Sequence, residues 1–221
     1  MELSKDTLTL IKNFASINNS LMLKEGTKLA TISEGKNIMA EANIAEDLPQ
    51  DFGIYDLNEF LNVVGLFTNP DLDFKDKYVL VSDTANTNSR IKYFAAGEGV
   101  VKAAPSTIKF PGADVEFELT AAQLAMIHRT AGALKASDVT IEGDGAILRV
   151  TVADKKNDTS NAFSQDLGST EHEFKARLKV DNLKMLPADY TVSISKKKIS
   201  RFTTAASDLT YYVAVEADSE F

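Results

Sequence analysis

Two lysines near the start of the chain are the first residues whose type and spacing suggest chemistry. From about Ser4 to Ile17 the apolar residues recur with helical periodicity, and Lys5 and Lys12 fall on the opposite face. Ser4 is a suitable N-cap for this helix. Two cations on one polar face can neutralise phosphate groups without reading base sequence. The predicted buried stripe consists of Leu3, Leu10, Phe14 and Ile17.

A second helix, predicted from about Thr120 to Leu134, has a similar polar face with fewer charges. Arg129 lies near its centre, with His128 and Lys135 beside it. No acidic residue occurs from Leu119 to Ser137, although the chain has 32 acidic residues. An ordinary solvent-exposed helix has the same pattern, so that alternative remains open. The predicted buried stripe consists of Leu124, Ile127, Ala131 and Leu134, and the small residues of the opposite face are Ala122, Ala125, Gly132 and Ala136.

Catalytic and metal-binding constellations are not evident in the sequence. His128 and His172 lie in unrelated segments without the spacing of metal ligands, and the chain has no cysteine for a thiolate site or a disulfide. Gly97-Glu98-Gly99 lacks the third glycine of a dinucleotide-binding loop. A group of aspartates lacks the glycine and final glutamate of a calcium loop and is predicted to be an acidic loop: Asp71, Asp73 and Asp76. We therefore predict no enzymatic activity, no metal and no cofactor.

The overall composition limits where positive charge can act. The chain has a formal net charge of −8, and an acidic surface repels phosphates. Nucleic-acid binding would therefore need its cations gathered on one surface. The chain is 44% hydrophobic, enough for a substantial core, and no segment approaches the ~18 apolar residues of a membrane helix. We expect a soluble, intracellular protein that does not contact membranes.

The same order of elements occurs twice along the chain. In each half a long helix precedes β-strands, a short helix and further strands, which predicts an α+β fold with two similar domains. Asp56 and Asp181 are the predicted N-caps of the short helices, at 56–61 and 181–186. The predicted strands lie at 21–23, 28–32, 38–44, 52–55, 78–81 and 90–95, and then at 139–141, 146–152, 174–180, 190–195, 199–204 and 209–215.

Residues between these halves are predicted to connect them. The segment at about 97–112 contains Pro105 and Pro111 and has little periodicity. It separates domain 1, at 1–104, from domain 2, at 113–221.

Two further segments are predicted to be turns. One is Glu142-Gly143-Asp144-Gly145, which separates two strands of the second half. The other is Lys196-Lys197-Lys198, which could be a nucleic-acid patch. Its position between two predicted strands favours a solvated hairpin turn instead.

Several short stretches, in the same order and spacing, resemble the sliding clamps (DNA polymerase processivity factors) of T-even-type bacteriophages. They run from Ser4 to Asp218, so the resemblance spans the chain. It implies a DNA clamp fold with two similar domains, each with an antiparallel sheet and two helices. It further implies a head-to-tail homotrimeric ring whose helices line a central hole for DNA. The stretches include Ser4-Lys5-Asp6-Thr7, Lys12-Asn13-Phe14-Ala15, Ala40-Glu41-Ala42-Asn43-Ile44, Ile54-Tyr55-Asp56-Leu57-Asn58 and Tyr212-Val213-Ala214.

The resemblance also implies partners and a place of action. It implies binding to double-stranded DNA without sequence specificity, and loading by an ATP-driven clamp loader. It implies tethering of a replicative polymerase through that enzyme's C-terminal peptide. It further implies that the protein is a coactivator of late transcription, together with phage late-transcription factors. The implied place of action is the cytoplasm of the infected bacterial host. The alternative function is a non-enzymatic trimeric virion protein without DNA contact, for which acid-free basic helix faces have no use.

Site residues follow from combining the helix faces with the resemblance. Lys184 joins the DNA channel because the family turns its second short helix inward, and Asn58 and Asn62 are its uncharged counterparts in the first half. The predicted DNA-channel residues are Lys5, Lys12, Arg129, Lys135, Lys184 and His128. The family's pocket for partner peptides, near the connector and the C-terminal strand, suggests Ile108, Phe110, Val213 and Val215, for which ordinary core packing is the alternative.

Overall fold

The computed structural model describes residues 1–85, 88–97, 99–105, 108–157 and 159–221. These form two compact units. Unit 1 comprises residues 1–34 and 39–107, and unit 2 comprises residues 35–38 and 108–221. Three residues of the predicted connector lie outside the described residues: Glu98, Ser106 and Thr107.

Unit 1 contains two helices and three groups of antiparallel strands. Strand β1 pairs with β4, β2 pairs with β3, and β5, β6 and β7 form a sheet in that order. The start of the chain closes the outer edge of β5, where Glu2 bridges Asp71 and the Met1 amino group lies 2.5 Å from the Asp71 carboxylate. The elements are α1 (Lys5–Ile17), β1 (Leu21–Leu23), β2 (Gly26–Ile32), β3 (Ile38–Leu48), β4 (Phe52–Ile54), α2 (Leu57–Val64), β5 (Pro70–Phe74), β6 (Tyr78–Asp83) and β7 (Arg90–Phe94).

Unit 2 contains one long helix, a single 3-10 turn and two groups of antiparallel strands. In one group the order is β11, β10, β9 and β12, and in the other β8, β13, β14 and β15 lie side by side. Glu220 bridges Lys175 at the outer edge of β12. The elements are β8 (Val115–Leu119), α3 (Ala121–Leu134), β9 (Asp138–Asp144), β10 (Ile147–Ala153), β11 (Phe163–Ser169), β12 (Glu173–Lys179), the 3-10 turn (Val180–Asn182), β13 (Tyr190–Ser195), β14 (Ile199–Thr203) and β15 (Leu209–Ala214).

Helix α1 begins as the sequence predicts, and two residues of the predicted stripe, Phe14 and Ile17, are buried. The Ser4 side chain accepts a hydrogen bond from the Thr7 backbone N–H, which confirms the N-cap. Leu3 and Leu10 are only half-buried, while Thr7 and Ile11 are buried. Leu3 precedes the helix, and the Thr7 hydroxyl donates to the Glu46 carboxylate at 2.6 Å. This hydrogen bond satisfies the threonine, so a polar residue can occupy the core position.

The Glu46 carboxylate is itself held in the charged form by this arrangement. Burial raises the pKa of Glu46, but the hydrogen bonds from Thr7 and Ser4 lower it by a larger amount. The net pKa of Glu46 therefore lies below its ordinary value. The start of α1 is therefore anchored to β3 by an ionised carboxylate.

Helix α3 confirms the predicted start and most of the predicted stripe. Thr120 and Gln123 form a reciprocal capping box, which satisfies two backbone donors at the helix start. Leu124, Ile127 and Ala131 are buried, as predicted. The assignment of Ala136 to the polar face is wrong, because the helix ends at Leu134 and Ala136 turns into the core.

The second short helix is the clearest error of sequence reasoning. Asp56 caps α2 as predicted, accepting from the Glu59 N–H at 2.9 Å. At 181–186, however, the structure has only the 3-10 turn Val180–Asn182, and Asp181 is not its cap. Leu183 and Met185 are both buried, a spacing that suits an extended chain and not a helix.

Two tyrosine hydroxyls hold this extended segment in place. The Tyr190 hydroxyl donates to the Leu186 carbonyl at 2.6 Å, and the Leu186 N–H donates to the Tyr211 hydroxyl at 3.1 Å. Burial raises the pKa of Tyr211 to about 12. These tertiary hydrogen bonds replace the ones that a helix would form locally.

Each strand predicted from the sequence is present in the structure. Three strands were not predicted: β5, β8 and β11. The predicted acidic loop is wrong for Asp71 and Asp73, which lie within β5, and right for Asp76, which lies in the following turn. The predicted turn at 142–145 is also too long, because β9 continues to Asp144. Strand β8 does alternate apolar and acidic residues, so its local signal was missed. The mostly polar β11 is stabilised by its antiparallel neighbour β10, which a local sequence pattern cannot reveal.

An ion pair between a buried carboxylate and a half-buried lysine joins β9 to β12 in unit 2. The Asp138 side chain is 2% exposed, and the Lys179 Nζ lies 2.5 Å from its Oδ1. Ser137 donates to the other carboxylate oxygen at 2.7 Å. Burial raises the pKa of Asp138, but the hydrogen bonds from Lys179 and Ser137 outweigh it, so the net pKa is lowered. The carboxylate is therefore charged and paired inside the protein.

Candidate nucleic-acid interface

The predicted polar face of α1 is exposed in the structure. Lys5, Thr9, Lys12 and Ser16 all reach solvent. The Thr9 and Ser16 hydroxyls donate to carbonyls of their own helix, at 2.8 and 2.6 Å. The two lysines therefore supply the charge of this face, and they lie about 10 Å apart along the helix axis at 1.5 Å per residue.

A groove of about 600 Å³ brings the α1 lysines together with α2. Asn58 and Asn62 of α2 line this groove together with Lys5 and Lys12 of α1. The Asn19 carbonyl accepts from the Leu57 N–H at 2.7 Å, and the Asn58 side-chain amide donates to Asn19 Oδ1 at 2.7 Å. These bonds fix the start of α2 against the end of α1, so the asparagines face the same groove as the lysines.

The lysines of this groove form no ion pair among the described residues, although the acidic residue Glu2 also lines the groove. Within the described ranges, neither Lys5 nor Lys12 has a carboxylate oxygen within 4.0 Å. Two other exposed lysines of unit 1 are paired, with Lys24 at 2.5 Å from Asp51 and Lys75 at 2.7 Å from Asp73, whereas Lys77 and Lys102 form no ion pair among the described residues. An unpaired ammonium group presents its full charge to solvent and can bind an anion without first breaking an internal ion pair. The groove can therefore attract phosphates.

The polar face of α3 is smooth and nearly free of charge. Ala122, Ala125 and Gly132 are exposed around Arg129, whose Nη2 lies 3.9 Å from the Met126 sulfur. The chain from Leu119 to Ser137 contains no carboxylate side chain that could repel an anion. Arg129 is therefore an exposed cation surrounded by small side chains on this face of α3.

Two other predicted residues lie beside this face. Lys135 is exposed and ends α3 in the left-handed conformation, with φ of 54°. His128 is half-buried. Lys135 is therefore the more accessible of the two.

The sequence matches two family models that together cover most of it. One is described as DNA polymerase processivity factor and matches residues 4–108, and the other as gp45 sliding clamp, C terminal, matching residues 116–217. The sliding clamp of Enterobacteria phage T4 is 32% identical over 99% of this chain and 98% of its own length. The chain belongs to the sliding-clamp family.

Further comparisons agree at the levels of sequence and fold. The sliding clamp of Vibrio phage KVP40 is 31% identical over 98% of this chain and all of its own length. A solved structure of A. fulgidus PCNA bound to the C-terminal region of FEN-1 has a TM-score of 0.69 with 11% identity, and 96% of each chain is covered. At that identity the likeness concerns the fold alone. The α+β clamp fold with two domains is confirmed.

Lys184 was predicted as a channel residue because it would lie on a short helix, and the structure has no helix at that position. It is exposed in this sliding clamp, but it follows the 3-10 turn and does not lie on a helix. The lysine run at 196–198 forms a turn between β13 and β14, as predicted. Lys196 pairs with Asp114 at 3.5 Å, and Lys198 donates to the Ser219 carbonyl at 2.5 Å. Two of these three lysines are therefore engaged within the protein.

The predicted peptide-pocket residues of the clamp fall into two groups. Val213 and Val215 are 0% and 5% exposed, so they are core residues in this structure. Ile108 and Phe110 are half-buried, and the Arg201 guanidinium lies 4.7 Å from the centre of the Phe110 ring. Only the second group offers surface to a partner.

Several lining residues of the α1–α2 groove were not predicted, among them Thr68 and Asn69. Thr68 and Asn69 line it from the segment after α2, where the sequence has no periodicity that relates them to Lys5. Among the described residues, no group of three or more acidic or histidine side chains converges as a metal site. No helix of the described ranges is both long and apolar enough to cross a bilayer.

Proposed function

We propose that three copies of this sliding clamp close head to tail into a ring that encircles duplex DNA. The polar faces of α1 and α3 face the DNA, and the contact residues are Lys5, Lys12, Arg129 and Lys135, with lesser contributions from Lys184 and His128. The observation that carries this proposal is the pair of exposed helix faces that lack acidic residues or acidic partners in a chain of net charge −8. Phosphate contacts of this kind carry no sequence preference.

The mechanism of processivity is topological. A closed ring cannot leave DNA sideways, so it needs no tight grip. Sparse cations on a wall of small side chains keep each phosphate contact weak and exchangeable, which allows sliding. The acidic remainder of the surface disfavours DNA binding outside the hole. No catalytic step is needed, and we propose that the protein is not an enzyme.

Unpaired strand edges support head-to-tail closure. A heterologous contact needs two different surfaces on one chain. In the strand pairing that the structure describes, β7 of unit 1 and β11 of unit 2 each have a neighbour on one side only. The outer edges of β5 and β12, by contrast, are bridged by Glu2 and Glu220. Open edges readily accept a strand from another molecule, so β7 of one copy and β11 of the next can pair.

The proposed partners follow from the family. The replicative polymerase is tethered through its C-terminal peptide, which contacts Ile108 and Phe110 above the buried Val213 and Val215. Support comes from A. fulgidus PCNA, a protein of the same fold that is bound to the C-terminal region of FEN-1 in the solved structure. A clamp-loader ATPase opens the ring, late-transcription factors are further partners, and the site of action is the cytoplasm of the infected bacterial host. The proposed domain limits are 1–104 and 113–221.

Retention on circular DNA tests encirclement. Clamp loaded onto nicked circular DNA by the loader and ATP should remain bound through gel filtration, and cutting that DNA once should release it by sliding off the ends. Equal retention on circular and linearised DNA would contradict encirclement. Blocking both ends of the linear DNA with bound protein is the control, and it should restore retention.

A further inference from the structure

A second groove, of about 560 Å³, lies in unit 2 near the last residues of the chain. It shares no lining residue with the α3 face or with the predicted peptide pocket. Its base is Phe174, which is buried, while Ile147 and Phe221 are 37% and 42% exposed. The lining residues are Glu142, Gly143, Asp144, Ile147, Arg149, Glu173, Phe174, Lys175, Glu220 and Phe221.

Local packing holds the apolar part of this groove in shape. A Cβ at Gly143 would lie 2.4 Å from the His172 carbonyl oxygen and 2.8 Å from the Phe174 ring, so only glycine lets the ring pack this closely. Phe221 stacks on Phe174 with ring centres 6.3 Å apart, and Lys198 Nζ lies 5.0 Å from the Phe221 ring centre. The exposed Phe221 ring therefore has two neighbours, the Phe174 ring and the Lys198 ammonium group.

The turn between β9 and β10 fixes the other side of the groove. The Asp144 carboxylate accepts from the backbone N–H groups of Ala146 and Ile147, at 3.0 and 2.7 Å. These two hydrogen bonds hold the pKa of Asp144 below its ordinary value. The turn directs Ile147 outward, where it lines the groove together with Phe221.

The charges around this apolar surface are unbalanced. Four carboxylates line the groove against two cations, and one of those cations, Arg149, is paired with Asp166 at 2.8 Å. Lys175 pairs with Glu142 at 3.7 Å. In the part of the chain that the structure describes, Glu173 and Glu220 have no cationic side chain within 4.0 Å. Asp144 likewise has no ion pair among the described residues, although backbone N–H groups satisfy its carboxylate. The groove therefore combines exposed apolar surface with carboxylates that lack a cationic partner.

We propose that this groove binds a peptide segment of a partner protein in which arginine or lysine flanks a large apolar side chain. The apolar side chain packs between Ile147 and Phe221, and the cations pair with Glu173 and Glu220. A volume of this size accepts a few side chains. Carboxylates repel phosphates, so DNA is excluded as the occupant. The site is independent of the DNA-facing helix faces.

A short labelled peptide tests this proposal on the full-length clamp. The probe is a fluorescein-labelled hexapeptide with two arginines flanking leucine and phenylalanine, and its binding is followed by fluorescence anisotropy. Replacing both Glu173 and Glu220 by lysine should weaken binding about tenfold or more, because each change removes an attraction and adds a repulsion. The matched control, Glu171→Lys with Glu34→Lys, changes net charge equally at exposed positions outside the groove and should alter binding less than about twofold.

Peptide variants separate charge from apolar contact. A peptide with glutamates in place of the arginines should not bind the unaltered clamp, and one with serines in place of leucine and phenylalanine should bind much more weakly. The proposal is overturned if the Glu173→Lys, Glu220→Lys clamp binds as tightly as the parent. It is also overturned if the serine peptide binds as well as the original. The peptide comparison uses the parent protein alone, so it stands even if a variant folds poorly.

Discussion

Removing the two α1 lysines tests the DNA-facing surface directly. In the double variant Lys5→Gln, Lys12→Gln, two positive charges are lost without adding a repulsive one. Both side chains are exposed on one face of α1 and have no carboxylate partner among the described residues. Glutamine is a good helix former, so α1 should stay intact.

The expected size of the effect follows from the geometry. The two lysines lie about 10 Å apart along the helix, too far to share one phosphate, so they engage separate phosphates. Each neutralised phosphate contributes about 0.9 to the slope of log affinity against log salt, so a fully engaged pair contributes roughly 1.8. Between 50 and 200 mM salt that slope corresponds to about a tenfold change in affinity for each subunit whose pair is engaged, and the proposed trimer holds three such pairs.

Salt titration of binding to a short linear duplex, which can thread the ring, measures this slope. The double variant should show a shallower slope than the parent and weaker binding at low salt. The matched control is Lys77→Gln with Lys102→Gln, which removes the same charge from exposed lysines of unit 1 outside the groove. Equal slopes for parent and Lys5/Lys12 variant would refute the assignment of α1 to DNA. An equal loss in the control would show that bulk charge, not position, determines binding.

Three further predictions concern α3 and the core of unit 2. Ala125→Glu places a carboxylate on the acid-free face and should weaken DNA binding more than Ala125→Gln does, at unchanged stability. Thr120→Ala removes the capping box with Gln123 and should lower the free energy of unfolding by about 1 kcal/mol, measured by urea denaturation. Lys179→Met leaves Asp138 buried and unpaired, which should cost about 3 kcal/mol at pH 7. The lowered folded pKa of Asp138 means that its stabilisation in the parent is present above the unfolded pKa and is lost as the pH falls through the folded value. The difference between parent and Lys179→Met should therefore shrink on acidification below about pH 4, and a constant difference would contradict the role given to this pair.

Much of the helical structure could be predicted because its signals are local. Ser4, Asp56 and Thr120 cap helices through hydrogen bonds to backbone only a few residues away. Such contacts are encoded within a short stretch of sequence. The exposure of Lys5 and Lys12 could be predicted for the same reason. The apolar residues of α1 recur on one side of the helix, so the residues on the opposite side face solvent.

Other features depended on residues far apart in the chain. Asp181 has the same local signal as Asp56, yet no helix forms there, because burial of Leu183 and Met185 and the tyrosine hydrogen bonds to Leu186 favour an extended chain. Local capping energies of about 1 kcal/mol are smaller than the burial of two large apolar side chains.

By itself, the sequence determined the polar helix faces and the order of most elements, except at 181–186, and it carried the family resemblance. The helix faces and the element order rest on periodicity and capping, which act over neighbouring residues, and the resemblance rests on the order and spacing of short stretches along the chain. The tertiary structure alone decided that Asn58 and Asn62 join the lysines in one groove, that Val213 is core, and which strand edges remain open. Each of these depends on which distant segments pack together, and burial and strand pairing between them override local preference.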